Sequence, residues 1–224
     1  MLLPYAPNPN YITTMRDGTI KQLNPFSGTE VWTVPGRGNR PLGILPAHPE
    51  PIDPADHGKF CAFCEGRYLD TPPEKSRVIR DSRGWHTVYR MPAENLFDTV
   101  AEFRRVPNLF EILSYDYWHA NYAYEIPRDI AERRRIYLDS PAGREHVLTV
   151  AKGKLRASGR TAEAIDAMTE EAIIEYASGF FGGGHDVIIA RRHYVDGAKT
   201  TSDLASSGTL APEEHYRHMA FTVE

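Results

Sequence analysis

A chain of 224 residues with 41% hydrophobic and 25% charged residues is long enough to bury a core without disulfide staples, and its composition is that of an ordinary globular protein. A net charge of −4 excludes a general polyanion binder, so nucleic acid is not an expected partner, and any phosphate must be held by a local Arg cluster or by backbone amides. Two cysteines do not make a disulfide framework, MLLPYAPNPNYITT lacks the basic and apolar regions of a secretory signal, and no run approaches the ~18 apolar residues of a membrane span, so a cytoplasmic protein with no membrane partner is expected.

Residues 1–10, rich in Pro and Asn, read as an extended arm. A strand-like pattern runs from Thr19 to Val34, with turn chemistry in NPFSG and a strand in EVWTVP. Residues 35–58 hold six prolines and four glycines, yet Leu42, Ile44 and Leu45 are interspersed, which predicts an ordered irregular connection. Short strands are expected around Ser76–Arg80 and Trp85–Arg90, followed by the apolar runs of AENLFDTVAEFRRVPNLFEIL. Residues 128–180 read as helical: Pro127 stands at a helix start, and SGRTAEAIDAMTEEAIIEYASGFFGGG ends in glycines suited to a C-cap. DVIIAR, residues 186–191, is a short apolar strand. The last predicted helix starts at Pro212 with two glutamates behind it, and Tyr216, Met219, Ala220 and Val223 share one of its faces. Strands and helices mix without regular alternation, which predicts an α+β fold.

Cys61 and Cys64, in HGKFCAFCEGRYLDTPP, are the only cysteines. A C-x-x-C turn can present two thiolates to one tetrahedral zinc ion, form a redox couple, or bury two small apolar side chains. The redox reading wants a strand before the pair and a helix behind it, whereas a Pro- and Gly-rich loop precedes it and EGR follows. A zinc set would have to be completed by His, Asp or Glu. Of nine histidines, His193 sits just past the DVIIAR strand, where a rigid element can aim it; His185 lies at that strand's other end, and His57 is the local competitor. Arg37 and Arg40, in VPGRGNRP, offer forked donors and free backbone amides to a phosphate, or form a solvated basic loop.

In chain order, IKQLNPFSGTEVWTVPGRGNRP, CAFCEG with TPPE behind it, FRRVPNLFEIL and GGHDVIIARRH together resemble the N-terminal half of the galactose-1-phosphate uridylyltransferases and their relatives in the histidine-triad superfamily, most closely an actinobacterial-type branch. Ala62 stands where that family's zinc loop usually has Pro. The resemblance covers residues 20–110 and 182–224, leaving 111–181 as a helical insertion that could act as a lid or as a subunit contact in a homodimer. It implies an antiparallel histidine-triad-like sheet with flanking helices. It further implies Zn2+ held by Cys61, Cys64 and His193, and nucleotide contacts from Arg37, Arg40 and Asn108. The implied activity is nucleotidyl transfer between a nucleotide-sugar and a sugar phosphate, through a covalent nucleotidyl-histidine. The family's H-x-H segment, which supplies that histidine and the fourth zinc ligand, does not occur in this sequence, and HYRH at 215–218 is no substitute on a helix. The implied chain is therefore the front portion of a longer protein, with no catalytic residue of its own. The alternative is a non-catalytic, zinc-stabilised nucleotide-phosphate-binding module; a further one is an α+β domain whose C-x-x-C and arginines are unrelated.

Overall fold

The computed structural model describes residues 8–35, 50–59, 62–111, 113–182, 184–190, 197–200, 203 and 210–223. The fold is α+β, with two antiparallel sheets and the chain divided into two compact units. Among the described residues no helix is long and apolar enough to cross a membrane.

The first unit takes its described residues from the N-terminal region and from 110–125. Strands β1 (Ile12–Thr14), β2 (Ile20–Leu23) and β3 (Glu30–Thr33) form a meander. Its first turn needs Gly18 at φ +85°, and the Asp17 carboxylate accepts hydrogen bonds from the amide and hydroxyl of buried Thr19 at 3.0 and 2.9 Å. In the second turn, Asn24 Oδ1 accepts from the Phe26 amide at 2.9 Å, as the NPFSG sequence predicts. Helix α1 (Tyr115–Tyr122), capped by Ser114, presents Tyr117, whose hydroxyl accepts from Trp32 Nε1 at 2.9 Å, while Asn121 accepts from the Arg16 amide at 2.8 Å. The expected helical insertion over 111–181 is thus shared, its first helix belonging to this unit and the rest to the second.

The second unit is built on strands β4 (Ser76–Asp81), β5 (Gly84–Tyr89), β6 (Phe103–Pro107) and β7 (Asp186–Ala190), in the order β5-β4-β6-β7. The register sets Arg77 opposite Arg104 and Val78 opposite Phe103 across β4 and β6. Because side chains alternate, the two pairs point to opposite faces. Val78 and Phe103 pack with Phe221 of helix α6 (Pro212–Val223), and Trp85 stacks on Phe103 with centroids 6.1 Å apart. The buried residues of α6 are Glu214 and Phe221, whereas Tyr216, Met219 and Val223, the expected apolar face, are exposed. Glu214 is buried because its carboxylate reaches back to the Ala211 amide at 2.9 Å, half of a capping box.

Four further helices, α2 (Arg128–Asp139), α3 (Pro141–Ala157), α4 (Ala162–Asp166) and α5 (Glu170–Tyr176), form a second core in which Val147, Val150, Ala151 and Leu155 of α3 pack against Tyr137, Ile165, Ile173, Phe180 and Phe181. The stretch from Ser158 to Gly184 is two helices because Thr161 and Thr169 each cap a start. The Gly182–Gly184 run does not cap α5; that helix ends at Ala177 and passes into a 3-10 turn, Ser178–Phe180.

Candidate functional site

The loop carrying the C-x-x-C is closed by backbone. Gly58 adopts φ +70°, and the Gly66 amide donates to the Gly58 carbonyl at 2.7 Å. A Cβ on Gly66 would lie 2.8 Å from that carbonyl oxygen and 2.9 Å from Lys59 Cγ, so this close approach requires glycine. Cys64 stands at the N-cap of a 3-10 turn, Glu65–Asp70, and only 1% of its surface is exposed. A buried thiol in a tightly closed loop fits one corner of a closed structural zinc site. Cys61 and His193 lie outside the described residues, as do Arg37 and Arg40. Among the described residues no three His, Cys, Asp or Glu side chains form a metal-binding group.

Asn108 follows β6 directly, and its amide donates to the His185 carbonyl at 3.0 Å, which ties it to the start of β7. The other end of β7, Ala190, pairs with Phe103. Ala101, just ahead of that end of β6, donates its amide at 3.0 Å to the hydroxyl of Tyr68, from the 3-10 turn behind the C-x-x-C. The 3-10 turn behind the C-x-x-C thus meets the sheet beside the N-terminal end of β6, where Ala190 of β7 pairs, with Asn108 at the opposite end.

Between the sheet and the helical layer lies a buried ionic cluster that sequence reasoning missed. Glu74, the acid of TPPE, is 1% exposed and bridges Arg77 (0%) and Arg104 (2%). Its carboxylate accepts from Arg77 Nε and from Arg77 Nη2 at 3.1 Å, and from Arg104 Nε at 2.6 Å. Like charges directly opposite on two strands repel; one shared carboxylate and the face of Tyr68 offset this, with the guanidinium carbons 4.8 and 4.4 Å from the ring centroid. Arg77 also donates to the Leu96 and Thr99 carbonyls at 2.8 and 2.9 Å, and Arg104 to Thr71 Oγ1 at 2.9 Å. The segment ahead of β4 is joined to α2 by Arg133, which donates to the Glu74 carbonyl, and to α3 by His146, which faces the Thr71 carbonyl.

His146 is held as one tautomer. Its Nε2 faces the Thr71 carbonyl at 2.7 Å and must donate, so Nδ1 accepts from the Tyr137 hydroxyl, also at 2.7 Å. Burial pulls the imidazole below its ordinary value and pushes the Tyr137 phenol up, which keeps both neutral. The available signal was the pair of adjacent arginines in FRRVP: in a strand, one of two neighbours must face inward.

Three of the four segments that carry the family resemblance therefore meet in one unit. TPPE joins FRRVPN through Glu74 and Arg104, and FRRVPN joins GHDVIIA through the β6–β7 ladder and Asn108. No curated protein and no solved structure matches the chain. A family model does, over residues 15–224: the chain belongs to the family described as a domain of unknown function, DUF4921.

Proposed function

We propose that this chain is the zinc-stabilised, nucleotide-binding part of a nucleotidyltransferase of the galactose-1-phosphate uridylyltransferase type. The observation that supports this most is the buried bridge from Glu74 to Arg104, which locks the segment behind the C-x-x-C to the FRRVPN strand. Cys61, Cys64 and His193 hold a structural zinc that pins the loop to the sheet, and Arg37, Arg40 and Asn108 contact the nucleotide. The donor is a nucleotide-sugar and the acceptor a sugar phosphate. The attacking imidazole comes from a histidine outside these 224 residues, and guanidinium and amide donors stabilise the charge that grows on the non-bridging phosphate oxygens.

The absence of an H-x-H in the sequence favours a second reading, a nucleotide-phosphate-binding module without catalysis. One experiment tests both. The chain is incubated with UDP-glucose or ADP-glucose labelled at the α-phosphate, and retained label is measured before and after acid. Retention that falls about tenfold or more in Arg37→Ala and Arg40→Ala is expected, roughly one charge-assisted hydrogen bond each. Acid-labile label on a histidine would show transfer by this chain itself, and acid-stable or purely reversible retention leaves it as the binding part. If neither nucleotide-sugar is retained, the proposal is wrong.

A further inference from the structure

The buried ionic cluster is not electrically balanced. Glu74 is one carboxylate among three buried guanidinia, those of Arg77, Arg104 and Arg133, which leaves an excess of two positive charges. Arg77 and Arg104 share Glu74, but among the described residues Arg133, 7% exposed, has only the backbone carbonyls of Pro73 and Glu74 as hydrogen-bond partners. Among the described residues it has no carboxylate partner, and its Nε is buried with no acceptor. Buried charges are nearly always paired, and a buried donor left without an acceptor is unfavourable. Among the described residues Arg133 therefore has no carboxylate in contact, and Glu74 and Asp186 act on it only through space.

A cavity of about 170 Å3 opens beside it. One wall is the segment that leaves β5, with Arg90, Pro92 and Glu94; the other is the outer half of α2, with Arg133, Ile136 and Tyr137. At about 30 Å3 per water in the liquid, the space holds several waters or one hydrated oxyanion. Arg90 takes up a left-handed backbone, φ 57°, unusual for a residue with a side chain. Among the described residues its guanidinium makes a loose, exposed ion pair with Asp129 at 3.5 Å and no tighter one. Burial lowers the Arg133 pKa and the positive charge of Arg90 adds to this, against the opposing pull of Tyr137, Glu74 and Asp186. Two carboxylates also line the cavity. Glu132 is engaged by Arg135 through two hydrogen bonds of 2.9 and 2.7 Å, and Glu94 is exposed and accepts from the Ser140 side chain. Both are screened by solvent or already paired, while the cation at the inner wall is neither.

We propose that this cavity is a binding site for a small oxyanion, a carboxylate or a phosphate, held between the buried guanidinium of Arg133 and the exposed fork of Arg90. The site uses none of the residues assigned to the nucleotide, and its ligand completes the charge balance of the sheet–helix interface. A phosphate, with more acceptor oxygens for two guanidinium forks, fits Arg90 and Arg133 better than a carboxylate does.

The test is thermal unfolding and calorimetric titration of the full chain with inorganic phosphate, with acetate, and with sodium chloride at matched ionic strength. Saturable one-to-one binding of phosphate, with acetate weaker and chloride without effect, is expected; tighter acetate would assign the site to a carboxylate ligand. Arg90→Asn suits the left-handed backbone and removes the guanidinium, and Ile136→Trp fills the mouth from an exposed position. Each should weaken binding at least about tenfold while leaving the helical circular dichroism intact. Stabilisation no greater than that given by chloride, or phosphate binding equally strong in wild type and both variants, would overturn the proposal. Nucleotide retention through Arg37 and Arg40 is expected to be unchanged in both variants, so the two readings fail separately.

Discussion

Replacing Glu74 by Gln keeps the shape of the side chain and removes its charge. The wild-type carboxylate accepts three guanidinium hydrogen bonds inside the protein, two from Arg77 and one from Arg104. Gln retains one carbonyl acceptor and turns the other oxygen into a donor that faces further donors. Arg77 and Arg104 then stand opposite each other on β4 and β6 with no counter-charge between them. Removing one partner of a buried ion pair costs about 3–5 kcal/mol, because it leaves the other charge buried and uncompensated. Against a typical total stability of 5–15 kcal/mol, such a loss brings the second unit close to unfolding. Urea denaturation followed by the helical circular dichroism signal measures it, since α2–α5 belong to this unit. Adding Arg104→Met should recover part of the loss, with a coupling of about 1 kcal/mol or more in the double-mutant cycle. A loss below about 1 kcal/mol for Glu74→Gln, with additive effects in the cycle, would refute the claim that this carboxylate holds the sheet to the segment behind the cysteine loop.

Stability should fall in mild acid. His146 is buried and its pKa lies below the ordinary 6.5, so below that value the unfolded chain takes up a proton that the folded chain refuses. The stability from neutral His146 is therefore complete above about pH 6.5 and is lost as pH falls toward the folded-state pKa, at up to about 1.4 kcal/mol per pH unit. His218, lowered by burial and by His215, adds in the same direction. His146→Gln should flatten the stability profile measured by urea titration between pH 7 and 5. Gly143→Ala should cost several kcal/mol in thermal unfolding, because its Cβ would fall 2.0 Å from the Tyr137 carbonyl oxygen at the α2–α3 junction. Elemental analysis of the purified chain should give one zinc per chain, lost in Cys61→Ser, Cys64→Ser and His193→Ala.

Elements whose signal is local were legible from sequence. Asn24 and the alternation of EVWT announce β3 and the turn before it, and Pro212 with Glu213 and Glu214 announces α6, whereas the short β1 was not foreseen. The orientation of α6 was not, because its apolar side, Tyr216, Met219 and Val223, is the exposed one. Packing instead selects Phe221 and the back-reaching Glu214, and no hydrophobic pattern reports a capping carboxylate. Likewise Gly182–Gly184 suggested a C-cap that the Ala177 turn supplies instead. The ionic cluster was hidden for the same reason: Arg and Glu are read as surface residues, and only pairing across 30 positions makes burial of Glu74 and Arg104 tolerable. Of the expected site, Cys64 and Asn108 fall within described structure, the one buried in its closed loop and the other fixed at the start of β7. Arg37, Arg40, Cys61 and His193 lie outside it.

The most direct test of a zinc-stabilised nucleotide site is calorimetric titration of the chain with UDP-glucose, in its zinc-loaded form and after chelation. One-to-one binding that is present with zinc and lost without it is the predicted result. No binding in either form, or binding indifferent to the metal, would contradict it.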